Sequence, residues 1–362
     1  MSDIRYWVGL SLVPEVGPVI SRKLLSEMGS PENIFRAGLK DLQAVKGLSR
    51  EKAGNIRNFS LWDSVEKIVK MTEKSGTKVV RYQDPSYPEV LKEVDGAPIV
   101  LYTKGDYTPE DRYGIGVVGS RKHTGYGEAV TQRISWELAS SGFTIISGMA
   151  RGIDTLSHKS ALHAGGRTIA VLGSGLDVFY PPENRGLMEK IAASGCVLSE
   201  FPPGTMPLKE NFPRRNRLIS GLSLGVLVVE ATADSGSLIT ANYALEQNKE
   251  VFAVPGNITS QNSEGTNALI KQGARMVLGA SDIVEELAPV LRGFIMRRGG
   301  QVTVELSEEE RAVCRFLTRE PKHIDLLSRE SGLPVHKILD LLLALELKDV
   351  VRQSGGKRFF LS

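Results

Sequence analysis

Between residues 81 and 292 the chain alternates short, β-rich apolar runs with stretches of helical spacing, and few architectures accommodate that rhythm. The runs at 115–118, 143–146, 168–172, 196–198, 226–229, 251–254 and 275–278 read as strands. Helical segments of about a dozen residues separate them, so they cannot be joined as hairpins, and a mostly parallel, doubly wound sheet of the α/β class is expected. One helix carries its own punctuation: Asp154 opens it, 155–164 form its body and Gly165-Gly166 close it.

In an open parallel sheet, ligands sit beyond the carboxyl ends of the strands, so the residues just after each apolar run carry the function. Those loops are rich in glycine and serine: Gly119-Ser120-Arg121-Lys122, Ser147-Gly148-Met149-Ala150-Arg151-Gly152, Gly173-Ser174-Gly175, Glu230 through Ser237, and Pro255-Gly256-Asn257. Loops of this kind, opening into helix starts, are anion sites, because free N–H groups and the helix dipole both favour phosphate. A G-x-G-x-x-G pattern at Gly114, Gly116 and Gly119 lies before and within its strand and not after it, which argues against NAD or FAD. There is no P-loop sequence, so ATP hydrolysis is not expected.

The segment Asn211-Phe212-Pro213-Arg214-Arg215-Asn216-Arg217-Leu218-Ile219-Ser220 is the sharpest basic feature. Arginine grips phosphate oxygens with a planar fork, and three arginines beside an aromatic suit a groove that follows a single-stranded backbone. A solvated, turn-forming segment is the alternative, since Pro213 and Asn216 are turn formers. His158 and His163 are five apart, which is not the spacing of a zinc helix, and His158 reads as a helix residue facing the glycine loops. Cys196 and Cys314 lack C-x-x-C partners, so neither a zinc site nor a disulfide framework is expected, and no cofactor.

Residues 1–78 read as a small helical domain with two similar passages. Val13-Pro14-Glu15-Val16-Gly17-Pro18 leads into Arg22-Lys23, and Val45-Lys46-Gly47-Leu48-Ser49 into Lys52; both resemble helix-hairpin-helix motifs, whose turn amides hold DNA phosphates, although the glycines could equally be plain helix caps. The sheet domain is placed at 79–292 and a linker at 293–304, containing Arg297-Arg298-Gly299-Gly300. Helices at 307–318, 323–331 and 334–348, then a hairpin through Gly355-Gly356, make 305–362 a winged helix.

The net charge of +3 hides its distribution: 1–78 carry +4, 79–299 carry −1 and 300–362 are neutral, while 201–220 alone hold Lys209, Arg214, Arg215 and Arg217 against Glu210. No run approaches the ~20 apolar residues of a membrane span. The opening Met1-Ser2-Asp3-Ile4-Arg5 lacks the plan of a secretory signal, so a cytoplasmic location is expected.

Taken in order, Gly119-Ser120-Arg121, 147–154, Gly173-Ser174-Gly175-Leu176-Asp177 with Tyr180-Pro181 and Asn184, Phe212 through Arg217, Ser235-Gly236-Ser237 and Pro255-Gly256-Asn257 resemble the DNA-processing protein A family (DprA, also called Smf) over about 80–290. The resemblance implies an extended Rossmann-like domain, with a SAM-like N-terminal domain and a C-terminal winged helix. It implies a protein that binds single-stranded DNA without catalysis, protects it and helps to load the recombinase RecA during natural transformation. The family's phosphate pocket maps onto Gly119, Ser120 and Arg121. The DNA-binding set implied here extends to Gly148, Arg151, Gly152, Gly173, Ser174, Tyr180, Asn184, Arg214, Arg215, Asn216, Arg217, Ser237 and Gly256. Members also dimerise through a late segment, here about 267–287.

Two other classes compete. A nucleotide N-glycosidase of the phosphoribohydrolase type uses P-G-G-x-G-T-x-x-E, but Leu269 stands where the glutamate should be. A winged-helix transcription regulator needs a basic recognition helix, and 334–348 offers His336, Lys337 and Lys348 against Asp340 and Glu346.

Overall fold

The structure is a computed structural model that describes residues 2–298, 307–318, 321–347, 351–354 and 357–361. It divides into two compact units, residues 1–287 and residues 288–362.

The first unit begins with six helices: α1 (Ser2–Ser11), α2 (Pro18–Met28), α3 (Pro31–Arg36), α4 (Leu39–Ala44), α5 (Arg50–Arg57) and α6 (Trp62–Ser75). Ser30 and Ser49 cap α3 and α5 by accepting from the N–H groups of Asn33 and Lys52. Gly47, at φ +90°, turns the chain between α4 and α5, a conformation that a side chain would strain. In the first hairpin the left-handed residue is Glu15 at φ 61°, and Gly17 has an ordinary φ of −73°. Trp62 lies against Gly9, whose missing side chain makes room for the indole, and packs on Tyr6, Phe35 and Phe59 with ring centroids 5.0–5.7 Å away. This core runs without a break onto one face of the sheet, from Leu10 and Leu24 to Val100, Ala170 and Val197.

The sheet follows: β1 (Lys78–Arg81), α7 (Glu89–Lys92), β2 (Val100–Gly105), β3 (Gly114–Val118), α8 (Gly125–Ser140), β4 (Thr144–Ser147), α9 (Ile153–His163) and β5 (Thr168–Leu172). Then come α10 (Arg185–Ser194), β6 (Cys196–Ser199), α11 (Asn211–Leu222), β7 (Gly225–Val228), α12 (Gly236–Glu246), β8 (Glu250–Ala253), α13 (Gln261–Lys271), β9 (Arg275–Met276) and α14 (Ala280–Arg298). The nine strands lie in the order β1-β2-β6-β5-β4-β3-β7-β8-β9. Pairings from β6 through β9 are parallel, whereas β1 with β2 and β2 with β6 are antiparallel. The seven expected strands are present within about a residue of their expected positions, the last shortened to Arg275–Met276; β1 and β2 are additions. All residues of β3, β4, β5, β6 and β7 are buried, which is why these strands read as nearly continuous apolar runs, with only a Thr or Ser at the ends of β4, β5 and β6.

The chain winds outward from β3 through β4, β5 and β6, then returns to β7 on the other side of β3. That reversal makes the carboxyl ends of β3 and its neighbours the place where a ligand crevice opens. At the opposite end, Asp111, fully buried, takes both oxygens' worth of hydrogen bonds from Arg167 Nε and Nη2 at 2.8 Å, and Arg167 also donates to the carbonyls of Ser194 and Asp106.

The expected linker at 293–304 differs in its first part, since α14 keeps 293–298 helical; 299–304 lie outside the described residues. The second unit contains α15 (Glu308–Cys314), β10 (Lys322–His323), α16 (Ile324–Ser331), α17 (Val335–Leu347), β11 (Val351–Ser354) and β12 (Arg358–Leu361). Its strands pair antiparallel in the order β10-β12-β11 over a core of Val313, Ile324, Leu327, Ile338, Leu342 and Phe359, a winged helix. The expected turn at Gly355-Gly356 and the residue Lys348 lie outside the described residues.

Candidate nucleic-acid interface

The start of α8, just after β3, would be the phosphate seat of a dinucleotide fold. Here the chain fills it with its own carboxylate. Glu230, 2% exposed at the end of β7, accepts from Thr124 N–H at 2.9 Å and from Thr124 Oγ1 at 2.6 Å. Gly127 leaves the space that this carboxylate occupies. An internal anion at the helix start repels a second one, a physical reason for the out-of-register glycine pattern.

The glycine loops pack tightly on one another. A Cβ on Gly119 would press on Ile153 and on the Glu230 carbonyl, and one on Gly152, at φ +77°, would overlap the Ser120 carbonyl. Ser120 N–H donates to the Glu230 carbonyl at 2.7 Å, Ile153 N–H to the Ser120 carbonyl at 3.2 Å, and the N–H groups of Gly148 and Ala150 to Asp154 Oδ2 at 3.1 and 3.3 Å. Asp154 therefore staples the loop before its helix, and Gly152 stands at the cap position where Asp154 was expected. Among the described residues, the amides of Arg121, Arg151 and Gly152 donate to no protein group.

Below the loops lies a sealed floor. Arg215, 5% exposed, donates from Nη1 to the carbonyls of Gly148 and Val171 and from Nε to Asn216 Oδ1. Gly148 has no side chain because the guanidinium takes its place. Burial lowers the Arg215 pKa to about 10, against the pull of Asp154. Burial raises the Asp154 carboxyl, with Arg215 and the two amides acting the other way. His158 is fully buried, shares a 2.6 Å hydrogen bond between Nδ1 and Thr168 Oγ1, and is pushed down to about 3 by burial and then by Arg215.

The rim is different. Arg121 is exposed and, among the described residues, makes no hydrogen bond or ion pair; its guanidinium stands 5.5 Å from the centroid of Phe212. Phe212 is half-buried at the start of α11, with the ring of Tyr180, 38% exposed, 5.9 Å away and Gly173 leaving room for its own ring. Arg151 pairs with Glu183 at 2.5 Å, both about half exposed. Arg214, 58% exposed, stands 4.9 Å from the Phe201 ring and 3.7 Å from the buried carboxylate of Glu200.

These positions correct the basic track expected along 214–217. The segment is a helix and not a turn, so its arginines point to different sides. Arg215 is internal, and Arg217 is tied to Glu200 and to the Gly96 carbonyl, leaving Arg214 as the exposed member of the three. Four more of the expected DNA contacts are internal supports. Asn184 donates to the Met149 carbonyl and Thr155 Oγ1, Ser174 donates to the Val178 carbonyl, Asn216 donates to the Gly236 carbonyl, and Ser237 shares a hydrogen bond with Ser235. Gly256 is locked by Asn267, which accepts from its N–H and donates to its carbonyl. The residues that the structure brings together at the surface are Arg121 and Tyr180 beside the Phe212 ring, with Arg151 near Tyr180 and Gly152 against the Arg121 backbone; Gly173, which makes room for the ring, is itself buried. Glu200 was not singled out from the sequence, and Glu230 stood there only as the first residue of its strand-end loop; nothing local marks either carboxylate's role, because their partners lie far along the chain.

The fold and this pocket define a Rossmann-like α/β domain flanked by a helix-hairpin-helix domain and a winged helix. Family comparisons agree: the model of DNA recombination-mediator protein A matches residues 78–288, that of the DprA winged helix domain 300–357, and that of a SAM-like helix-hairpin-helix tandem 9–59. The chain belongs to the DNA recombination-mediator protein A (DprA/Smf) family. It is 35% identical to Protein Smf of Synechocystis sp. over 99% of this chain and 98% of the relative. Among solved structures it is similar to DNA processing protein A of Streptococcus pneumoniae, with TM-score 0.65 and 35% identity over 78% of this chain and 96% of that one. It is also similar to the Helicobacter pylori protein, described for its unique single-stranded DNA binding mode, with TM-score 0.53 and 30% identity over 59% and 96%.

Proposed function

We propose that this protein binds single-stranded DNA at the carboxyl end of its sheet, without reading sequence and without catalysis. The observation that carries the reading is the unpaired, exposed Arg121 beside the Phe212 ring, with Tyr180 alongside. A guanidinium without an internal partner favours phosphate, and exposed aromatic faces take bases of any identity. The single-stranded DNA binding mode described for the Helicobacter pylori relative supports it. From the same family likeness, the protein protects incoming strands and helps load RecA during natural transformation, in the cytoplasm.

Absence of catalysis is supported by Leu269, which is 6% exposed and apolar where a glycosidase would hold its glutamate. Incubation with nucleoside monophosphates is expected to release no free base. A homodimer through 267–287 is supported by Met276 and Leu278, 49% and 65% exposed at the edge strand β9, and by Trp136, 51% exposed on α8 beside Arg133 and Glu137, which bind the 278–280 backbone. Leu269, Ile283 and Leu287 of that segment face this chain's own core.

Anisotropy titrations of the full chain with fluorescent single-stranded and duplex DNA across a salt series test the reading. The expected result is preference for the single strand and a log K against log salt slope of about 0.7 per neutralised phosphate. Equal binding of duplex, or affinity unchanged by salt, would overturn it.

A further inference from the structure

The geometry points to a second segment of the nucleic-acid path, a groove between α9 and α10 that takes the phosphate backbone of the strand after it leaves the Phe212 pocket. This inference rests on the proposed single-strand binding and extends it to residues outside the glycine loops.

The groove has a volume of about 640 Å³. One wall carries Lys159 and His163, four residues apart and therefore on one face of α9. The other carries Lys190 on α10, and the apolar floor is made by Leu162 and Leu187. Lys159 and Lys190 are exposed and, among the described residues, make no ion pair. The acidic groups near them are already engaged: Glu183 by Arg151 and Glu189 by Arg185 at 3.4 Å. Two lysines free of carboxylates over an apolar floor match a strand that presents phosphates on one side and sugars and bases on the other.

Continuity with the pocket is built into the chain. Glu183, at one end of the groove, holds Arg151, whose loop also carries Gly152 of the pocket. Asn184, another lining residue, ties the groove to that same loop through the Met149 carbonyl at 3.0 Å. Tyr180, four residues earlier, touches Phe212. A strand passing from the Phe212 ring over Tyr180 and Arg151 thus arrives between Lys159 and Lys190.

The test uses the full chain and two oligothymidylates, one of roughly six nucleotides and one of roughly twenty, lengths bracketing a single binding site. In the double variant Lys159→Ala with Lys190→Ala, affinity for the long oligomer is expected to fall about 5–10-fold at moderate salt, and its salt slope by about 1.4 for two lost phosphate contacts. The short oligomer is expected to bind as before. In a second readout, bound long oligomer is expected to protect Lys159 and Lys190 of the unaltered protein from acetylation, followed by mass spectrometry. Equal loss on both oligomers, an unchanged long-oligomer slope, or undiminished acetylation would overturn the groove. If the unaltered protein bound neither oligomer, the pocket reading itself would fail.

Discussion

Two arginines stand beside the same phenylalanine. Arg121 lies 5.5 Å from the Phe212 centroid on the rim and Arg215 5.9 Å from it on the floor. The rim arginine has no internal acceptor among the described residues, while the floor arginine has two carbonyls and a carboxamide. An identical side chain thus serves as a structural tie where the chain supplies acceptors and is left exposed, with its donors unspent, where it does not. The same contrast separates the two ends of the sheet, since Arg167 at the amino end is fully engaged by Asp111 and two backbone carbonyls.

The largest expected effect comes from breaking the floor. Arg215→Ala leaves the Gly148 and Val171 carbonyls unpaired and Asp154 without its neighbouring cation. A stability loss of about 3–5 kcal/mol is expected, read as a lower midpoint in urea. A midpoint unchanged within error would show that these acceptors find water instead.

Acid should probe the same floor. Unfolded, His158 takes up a proton at its ordinary pKa near 6.5, which the folded interior resists down to about 3. Its contribution is therefore complete above pH 6.5 and is lost as pH falls toward 3, by about 1.4 kcal/mol per unit. Asp154 acts oppositely: its raised pKa makes the folded state hold a proton that the unfolded carboxyl has released, so its contribution is present at low pH and is lost as pH rises through the raised folded value. Thermal melts of His158→Asn are expected to show a flatter decline than the unaltered protein between pH 6.5 and 4; parallel curves would remove His158 from the account.

Rim substitutions should leave folding alone and weaken binding. Phe212→Ala is expected to lose about 1–3 kcal/mol of single-strand affinity, the usual worth of one stacked base, as read by anisotropy. Arg214→Ala should have the smallest effect, under about 1 kcal/mol, because Glu200 already offsets its charge. A loss as large as that of Phe212→Ala would mean that Arg214, and not Arg121, leads the track.

Much of this architecture was legible in the sequence, for a physical reason. Strands buried on both faces, such as Thr168–Leu172, must be apolar apart from hydroxyls whose hydrogen bonds are met inside, and loops that approach within contact of one another, such as those of Gly119 and Gly152, must lack side chains there. The antiparallel strands β1 and β2 were not legible, because Lys78–Arg81 is four residues long with a charged residue at each end and becomes a strand only by pairing with β2. Likewise, the arginine-rich segment showed three equivalent cations. What distinguishes them is acceptors far along the chain: the Gly148 carbonyl, 67 residues from Arg215, and Glu200, 17 residues from Arg217. Arginine spacing carries no trace of those partners.

The contrast between rim and floor is tested most directly by measuring, on one preparation of Arg121→Ala, both thermal stability and single-stranded DNA affinity. The account predicts a stability change within about 0.5 kcal/mol together with at least a tenfold loss of affinity and a shallower salt slope. Retained affinity, or a loss of stability comparable to that of Arg215→Ala, would contradict it.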